Sequence, residues 1–126
     1  QRGQIRTLLG RLCRFHLWEP NYFGIHKPLS FDEAIQEHGP GIKRAYTYKA
    51  LNKLIQGSAA DMTKKSMLEL YKIGVIPHIQ IHDELDISVE SDKKAKQIIE
   101  VMESAVALDI PNKVDYESGK NWGDIH

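Results

Sequence analysis

Residues 75–90, VIPHIQIHDELDISVE, decide how this chain is read. Ile79 and Ile81 alternate with His78, Gln80 and His82, and Ile87 and Val89 alternate with Asp86 and Ser88. Period-two alternation on both sides of a short polar run predicts a β-hairpin turning at His82-Asp83-Glu84. Tips of this kind form most readily from Asn-Gly or Asp-Gly, which accept positive φ at little cost. Here the tip carries two adjacent carboxylates, Asp83 and Glu84, with Asp86 on the return strand. That choice suits a hard divalent cation, Mg²⁺ or Mn²⁺, which takes one or two carboxylates together with substrate phosphates. A charged, solvated turn would read the same way. Zinc does not suit the pattern, because Cys13 is solitary and the six histidines show no ligand-spaced cluster. On an extended strand His78 and His82 stand roughly 13 Å apart, too far to share one ion.

Helices are predicted on either side of the hairpin. Residues 46–73 are periodic throughout, with Leu51, Ile55, Ala59, Met62, Ser66 and Leu70 along one stripe and Asn52, Gln56 and Thr63 one step round. Four small residues, Gly57-Ser58-Ala59-Ala60, interrupt its middle. A mid-helix glycine costs about 1 kcal/mol, so the run predicts that something approaches the backbone closely. Gly74 supplies a C-cap and Pro77 a stop. Downstream, Ser91 caps a second amphipathic helix over 92–108, with Ala95, Ile98, Ile99, Met102 and Val106 on its apolar face. A short strand around 113–117 and a polar, glycine-rich end follow.

Upstream, Ile5, Leu8, Leu9 and Leu12 recur at helical spacing, so residues 1–18 read as a short helix that turns at Gly10 into an extended RLCRFHLW. Pro20, Pro28 and Pro40, with Gly24, Gly39 and Gly41, make 19–47 a loop-rich insertion. Within it Ser30 and Glu33 form a capping box, predicting a short helix over about 31–38. The organisation expected is therefore α+β in three stretches: 1–18, 19–47 and 48–126.

The 126 residues suffice for one domain, and 41% apolar content is ordinary for a globular chain. No run approaches the ~18 apolar residues of a membrane span. Neither a signal-peptide pattern nor a second cysteine is present, so a reducing, cytoplasmic setting is expected, that of the cell or of a virus within its host. The chain opens on Gln1 without an obvious start, as an excerpt of a longer polypeptide would. Net charge is zero, yet residues 1–53 hold nine Lys/Arg against four Asp/Glu, and 54–126 hold eight against thirteen. A +5 half beside a −5 half suits a phosphate-facing surface and a metal-binding one, though a short chain can reach such a split by chance. Arg2, Arg6, Arg11 and Arg14 fall in the first eighteen residues without a single acid. Arginine's fork matches phosphate, and the amides of Asn52 and Gln56 could read minor-groove acceptors. Ordinary solvated surface accounts for them equally well.

Four runs taken together resemble a known family. They are Thr7-Leu-Leu-Gly-Arg11 with Arg14, then Asn52-Lys-Leu-Ile-Gln56-Gly-Ser-Ala-Ala-Asp61-Met-Thr-Lys64, then His82-Asp83-Glu84, then Gly119-Lys-Asn-Trp-Gly-Asp-Ile-His126. In this order they look like the C-terminal part of the family A DNA polymerases, and they span nearly the whole chain. Residues 19–43 match least. The QGSAAD and HDEL runs resemble these DNA enzymes more than the single-subunit RNA polymerases.

The resemblance implies a palm-subdomain fragment, with a catalytic hairpin flanked by helices that bridge toward the fingers. It implies that Asp83 is the second catalytic aspartate and binds the two divalent metals. Glu84 then supports the primer terminus or metal environment, and His82 lies close to the primer end. Asn52 and Gln56 contact primer–template DNA near its minor groove, Arg11 and Arg14 face the nascent duplex, and His126 packs near the site. The implied reaction is template-directed nucleotidyl transfer from deoxynucleoside triphosphates by a two-metal route. The family's other catalytic aspartate and its nucleotide-binding helix have no counterpart in this sequence. An N-terminal portion, whether the rest of one chain or a split subunit, is therefore expected as partner, and the isolated chain is expected to be inactive. Two other classes stay open at this point: a nucleic-acid-binding module without catalysis, and a fragment acting through protein contacts.

Overall fold

The computed structural model describes residues 3–125. It has a mixed α+β architecture of small antiparallel strand pairs and helices, divided into two compact units, residues 1–58 and 59–126. Each unit is described by itself.

In the first unit, strands β1 (Gln4–Arg6) and β2 (Leu12–Arg14) pair antiparallel with Ile5 opposite Cys13. The helix expected here is a hairpin instead. Four apolar residues at helical spacing are outweighed by a turn in which one threonine satisfies several backbone groups. The Thr7 N–H donates to the Arg11 carbonyl at 2.9 Å, while the Thr7 carbonyl accepts from Gly10 N–H and its hydroxyl from Arg11 N–H. Gly10 turns there with φ of 89°, and Leu8 and Leu9 are left on the exposed loop rather than on a helix face.

The 19–47 stretch is more ordered than its composition predicts. Strand β3 (Trp18–Pro20) pairs antiparallel with β4 (Ile42–Arg44), so the two ends of the stretch are stitched together. Between them α1 (Phe31–His38) forms where expected, with both bonds of the Ser30–Glu33 capping box in place. Trp18 joins these pieces. It bridges to Leu29, meets Phe31 edge-on at 5.2 Å, and lies under the Arg44 guanidinium at 4.6 Å. Arg44 also donates to the Phe15 carbonyl at 2.8 Å.

Helix α2 (Ala50–Lys72) is a continuous 23 residues, and the boundary between the units falls within it. The predicted stripe divides in two. Leu51 and Ile55 are 68% and 60% exposed, whereas Ser66 and Leu70 are buried. Near its end, Lys72 and Lys65 beside Glu69 hold that carboxyl below the usual carboxylate range, chiefly through the hydrogen bond from Lys72. Such a depressed group favours the fold at neutral pH, and its contribution fades as pH falls through the lowered pKa.

The helix stops by a Schellman motif. Val75 N–H donates to the Leu70 carbonyl at 2.9 Å and Gly74 N–H to Tyr71 at 3.0 Å, with Gly74 at φ 80°. That turn folds Val75 back onto Leu70 and so nucleates the core of the second unit. Leu70, Val75 and Ile98 are buried together, with Ile73, Leu85, Ile87, Val101 and Met102 packed around them. Ile98, Val101 and Met102 come from α3 (Asp92–Ser104), which is N-capped by Ser91 and ends four residues earlier than its periodicity suggests. The strand expected at 113–117 is absent. Its Val114 N–H is taken by the Glu103 side chain at 2.9 Å instead of by a neighbouring strand.

Candidate functional site

The hairpin of the second unit runs through β5 (Ile79–Ile81) and β6 (Glu84–Asp86). Ile81 pairs with Glu84, which leaves a two-residue tip, His82-Asp83, where a three-residue turn was predicted. His82 sits in the left-handed region at φ 53°, a conformation that asparagine or glycine would hold with less strain. Part of the compensation is local: the Gln80 side-chain amide donates to the His82 carbonyl at 3.0 Å. Asp83 and His82 are exposed at the apex, and Glu84 is half-buried just below it.

Register fixes what each face of the hairpin carries. Residues directly opposite share a face, so Ile79, Ile81, Glu84 and Asp86 lie on one side and Gln80 and Leu85 on the other. Leu85 faces the core with Ile87. The two isoleucines of β5 therefore point away from it and stay 44% exposed. Alternation had suggested apolar residues on both strands; pairing places them on opposite faces. Among the described residues, β5 and β6 pair only with each other, so both edges of this ribbon are open.

The face bearing Glu84 and Asp86 receives the C-terminal segment. There the Trp122 indole N–H donates to Asp86 Oδ2 at 3.1 Å. Trp122 begins a 3-10 turn, Trp122–Asp124, capped by Asn121, whose Oδ1 accepts from Asp124 N–H and whose amide donates to Asp124 Oδ2 at 2.9 Å. A β-carbon on Gly119 would stand 2.8 Å from Asp124 Cβ and 3.0 Å from the Ile125 side chain, so only glycine fits there. His126, expected near the site, lies outside the described residues, as does Arg2.

In the first unit the predicted close approach at Gly57 is made by the β1–β2 loop. Arg11 Nη2 donates to the Gly57 carbonyl at 3.1 Å, and Leu8 N–H donates to Ser58 Oγ at 3.0 Å. A β-carbon on Gly57 would meet Thr7 Cγ2 at 3.0 Å and Arg11 Nη2 at 3.3 Å. Gly57→Leu is accordingly expected to destabilise the chain by about 1–3 kcal/mol, overpacking that outweighs the gain in helix propensity. Urea denaturation checks this; a stabilised variant would contradict the close docking. Arg11 is thus partly a structural residue, braced on the Gly57 carbonyl; Asn52 and Gln56 are exposed on α2, one helical turn apart. Arg14 stands on β2 opposite Gln4, exposed.

The site residues accordingly form two sets, each within one unit: Arg11, Arg14, Asn52 and Gln56 in the first, and His82, Asp83 and Glu84 in the second. Sequence reading missed Thr7, Gln80 and the role of Trp122, because individual side-chain hydrogen bonds, whether local or long-range, leave no periodic signal. Among the described residues no group of three or more His, Cys, Asp or Glu is arranged to hold a metal. The donor set at the tip is hard oxygen, Asp83 with Glu84, which suits Mg²⁺ but supplies only part of a coordination shell. No helix among the described residues is long and apolar enough to cross a membrane.

Comparison with known proteins gives a consistent result. The family described as DNA polymerase family A matches residues 1–124. A DNA-directed DNA polymerase of Pseudomonas phage M6 is 38% identical over 121 residues, covering 96% of this chain and 15% of its own length. The DNA polymerase I of Borreliella burgdorferi is 37% identical over 61% of the chain, and that of Bacillus subtilis 40% identical over 60%; each is covered over 10% of its length. The chain thus spans about a tenth to a seventh of these relatives. No solved structure matches it.

Proposed function

The chain belongs to the family A DNA polymerases, and we propose that it forms the C-terminal, palm-derived part of a DNA-directed DNA polymerase, incomplete without an N-terminal portion. The observation that carries this reading is the exposed Asp83, presented with Glu84 at the apex of a hairpin seated on the Leu70 core. The two open edges of the hairpin and the exposed Ile79 and Ile81 support the incompleteness, since a lone two-stranded ribbon is marginal in water and an open edge invites another strand.

In this reading Asp83 is the metal-binding carboxylate and Glu84 its acidic neighbour. Bound Mg²⁺ would activate the primer 3′-hydroxyl and offset the charge that develops on the phosphate. The chain's own residues do the positioning. The tight two-residue turn limits how far Asp83 can swing. His82, exposed beside it, faces the primer end. In the first unit Arg11 and Arg14 contact backbone phosphates, while Asn52 and Gln56 offer amides to minor-groove acceptors that are nearly the same for every base pair. Sequence-tolerant contacts are what a template-directed enzyme requires.

One carboxylate pair cannot assemble a two-metal clamp. Purified residues 1–126, with Mg²⁺, primer–template and deoxynucleoside triphosphates, are therefore expected to show weak DNA binding and no incorporation. Incorporation by the chain alone would overturn the requirement for an N-terminal portion.

A further inference from the structure

A side chain outside the predicted catalytic set holds the hairpin from its second face. Leu85 and Ile87 anchor the ribbon on the core side, while Glu84 and Asp86 project from the other. On that other side the bond from Trp122 Nε1–H to Asp86 Oδ2, at 3.1 Å, is made to a charged acceptor, which is stronger than a bond between neutral groups. Both partners are set in place. The Asp86 carbonyl accepts from His78 N–H at 2.9 Å and its α-carbon lies opposite Ile79, so the residue is fixed in the ladder. Trp122 heads a 3-10 turn closed by two bonds between the Asn121 side chain and Asp124 and by the tight contact at Gly119. From Asp86 to Asp83 is three residues along the same short strand and its turn.

We propose that Trp122 is a positioning residue for the hairpin tip: through Asp86 it clamps β6 and so limits the excursions of Asp83 and Glu84. The inference rests on the proposed metal role of Asp83. It assigns a task to the C-terminal segment, which otherwise would only cover surface. A strand pair held on one face alone can rock about the Leu85–Ile87 contact; a second hold on the opposite face removes that freedom. Placement errors of about 1 Å at a catalytic group cost on the order of a hundredfold in rate, so modest rocking has kinetic consequences.

The test uses the polymerase reconstituted from this chain and its N-terminal portion. Trp122→Phe keeps the ring and removes the N–H. It is expected to raise amide hydrogen exchange across residues 78–86 roughly tenfold, the effect of losing one hydrogen bond to a charged group. It is also expected to raise the Mg²⁺ concentration for half-maximal incorporation several-fold. Asp86→Asn keeps an acceptor but loses its charge, and should fall between wild type and Trp122→Phe in both. Asp86→Ala should move both readouts in the same direction as Trp122→Phe, and the double variant should fall short of the sum of the two single effects, because both remove this contact. Additive effects, or unchanged exchange and Mg²⁺ dependence in Trp122→Phe, would overturn the clamp. An Asp83→Ala control separates the two readings. If that variant stays active the metal role fails, whereas the exchange measurement still decides whether Trp122 holds the hairpin.

Discussion

Asp83→Ala is expected to lower the rate of nucleotide incorporation by the reconstituted polymerase by about a thousandfold or more, with little change in affinity for primer–template. The size follows from what is removed. Deleting one preorganised electrostatic contributor to a transition state commonly costs about 10²–10³ in rate, and groups acting as a unit lose more because the remainder cannot substitute. The selectivity follows from location. Asp83 is exposed at a two-residue tip, packs in no core, and pairs with no partner strand. Truncating it should therefore leave the fold intact, so a rate loss cannot be ascribed to unfolding. Arg11, Arg14, Asn52 and Gln56, the residues proposed to contact DNA, lie in the other unit, and binding should persist. Single-turnover incorporation alongside a DNA-binding titration separates the two quantities. Glu84→Ala should cost less, since Glu84 is half-buried below the apex and its proposed role is support.

Leu70→Ala should have the largest effect on stability, about 2–5 kcal/mol, the range for emptying a well-packed leucine site. Leu70 is fully buried, and its carbonyl also accepts the bonds that end α2. The cluster it forms with Val75 and Ile98 joins three elements: α2 itself, α3 through Ile98, and the hairpin through Leu85 and Ile87 packed against it. Little slack is available to collapse into the void. A loss of this size is a large share of the 5–15 kcal/mol that holds a typical domain folded. The hairpin rests on this cluster, so incorporation should fall together with the denaturation midpoint. That joint loss distinguishes Leu70→Ala from Asp83→Ala, where only the rate falls. A midpoint within experimental error of wild type would show that Leu70 is not the keystone of the second unit.

How much could be read from sequence depended on how local the deciding interaction is. The helix over 31–38 and the hairpin around Asp83 were legible because a capping box and period-two alternation are written within a few neighbouring residues. Gly57 was legible as a close approach, though not what approached it: the Thr7 methyl and the Arg11 guanidinium come from some fifty residues upstream. The first twelve residues misled because Ile5, Leu8, Leu9 and Leu12 satisfy a helical spacing, while the competing turn depends on bonds centred on Thr7 that no pattern announces. The turn length was misjudged for a subtler reason. One residue in the length of the turn decides which side chains are opposite one another, and the two-residue tip sends Ile79 and Ile81 away from Leu85. The exposed upper half of the α2 stripe has a different origin. Leu51 and Ile55 are apolar at helical spacing, as a buried face would be, yet nothing among the described residues covers them. That is consistent with an N-terminal portion packing there.

Complementation of primer extension tests the central claim most directly. Residues 1–126 are mixed with the N-terminal polymerase portion that lacks them, on primed template with Mg²⁺ and deoxynucleoside triphosphates. Extension is expected only when both pieces are present and Asp83 is intact. Equal extension with the wild-type chain and with Asp83→Ala would contradict the assignment of this hairpin as the catalytic one.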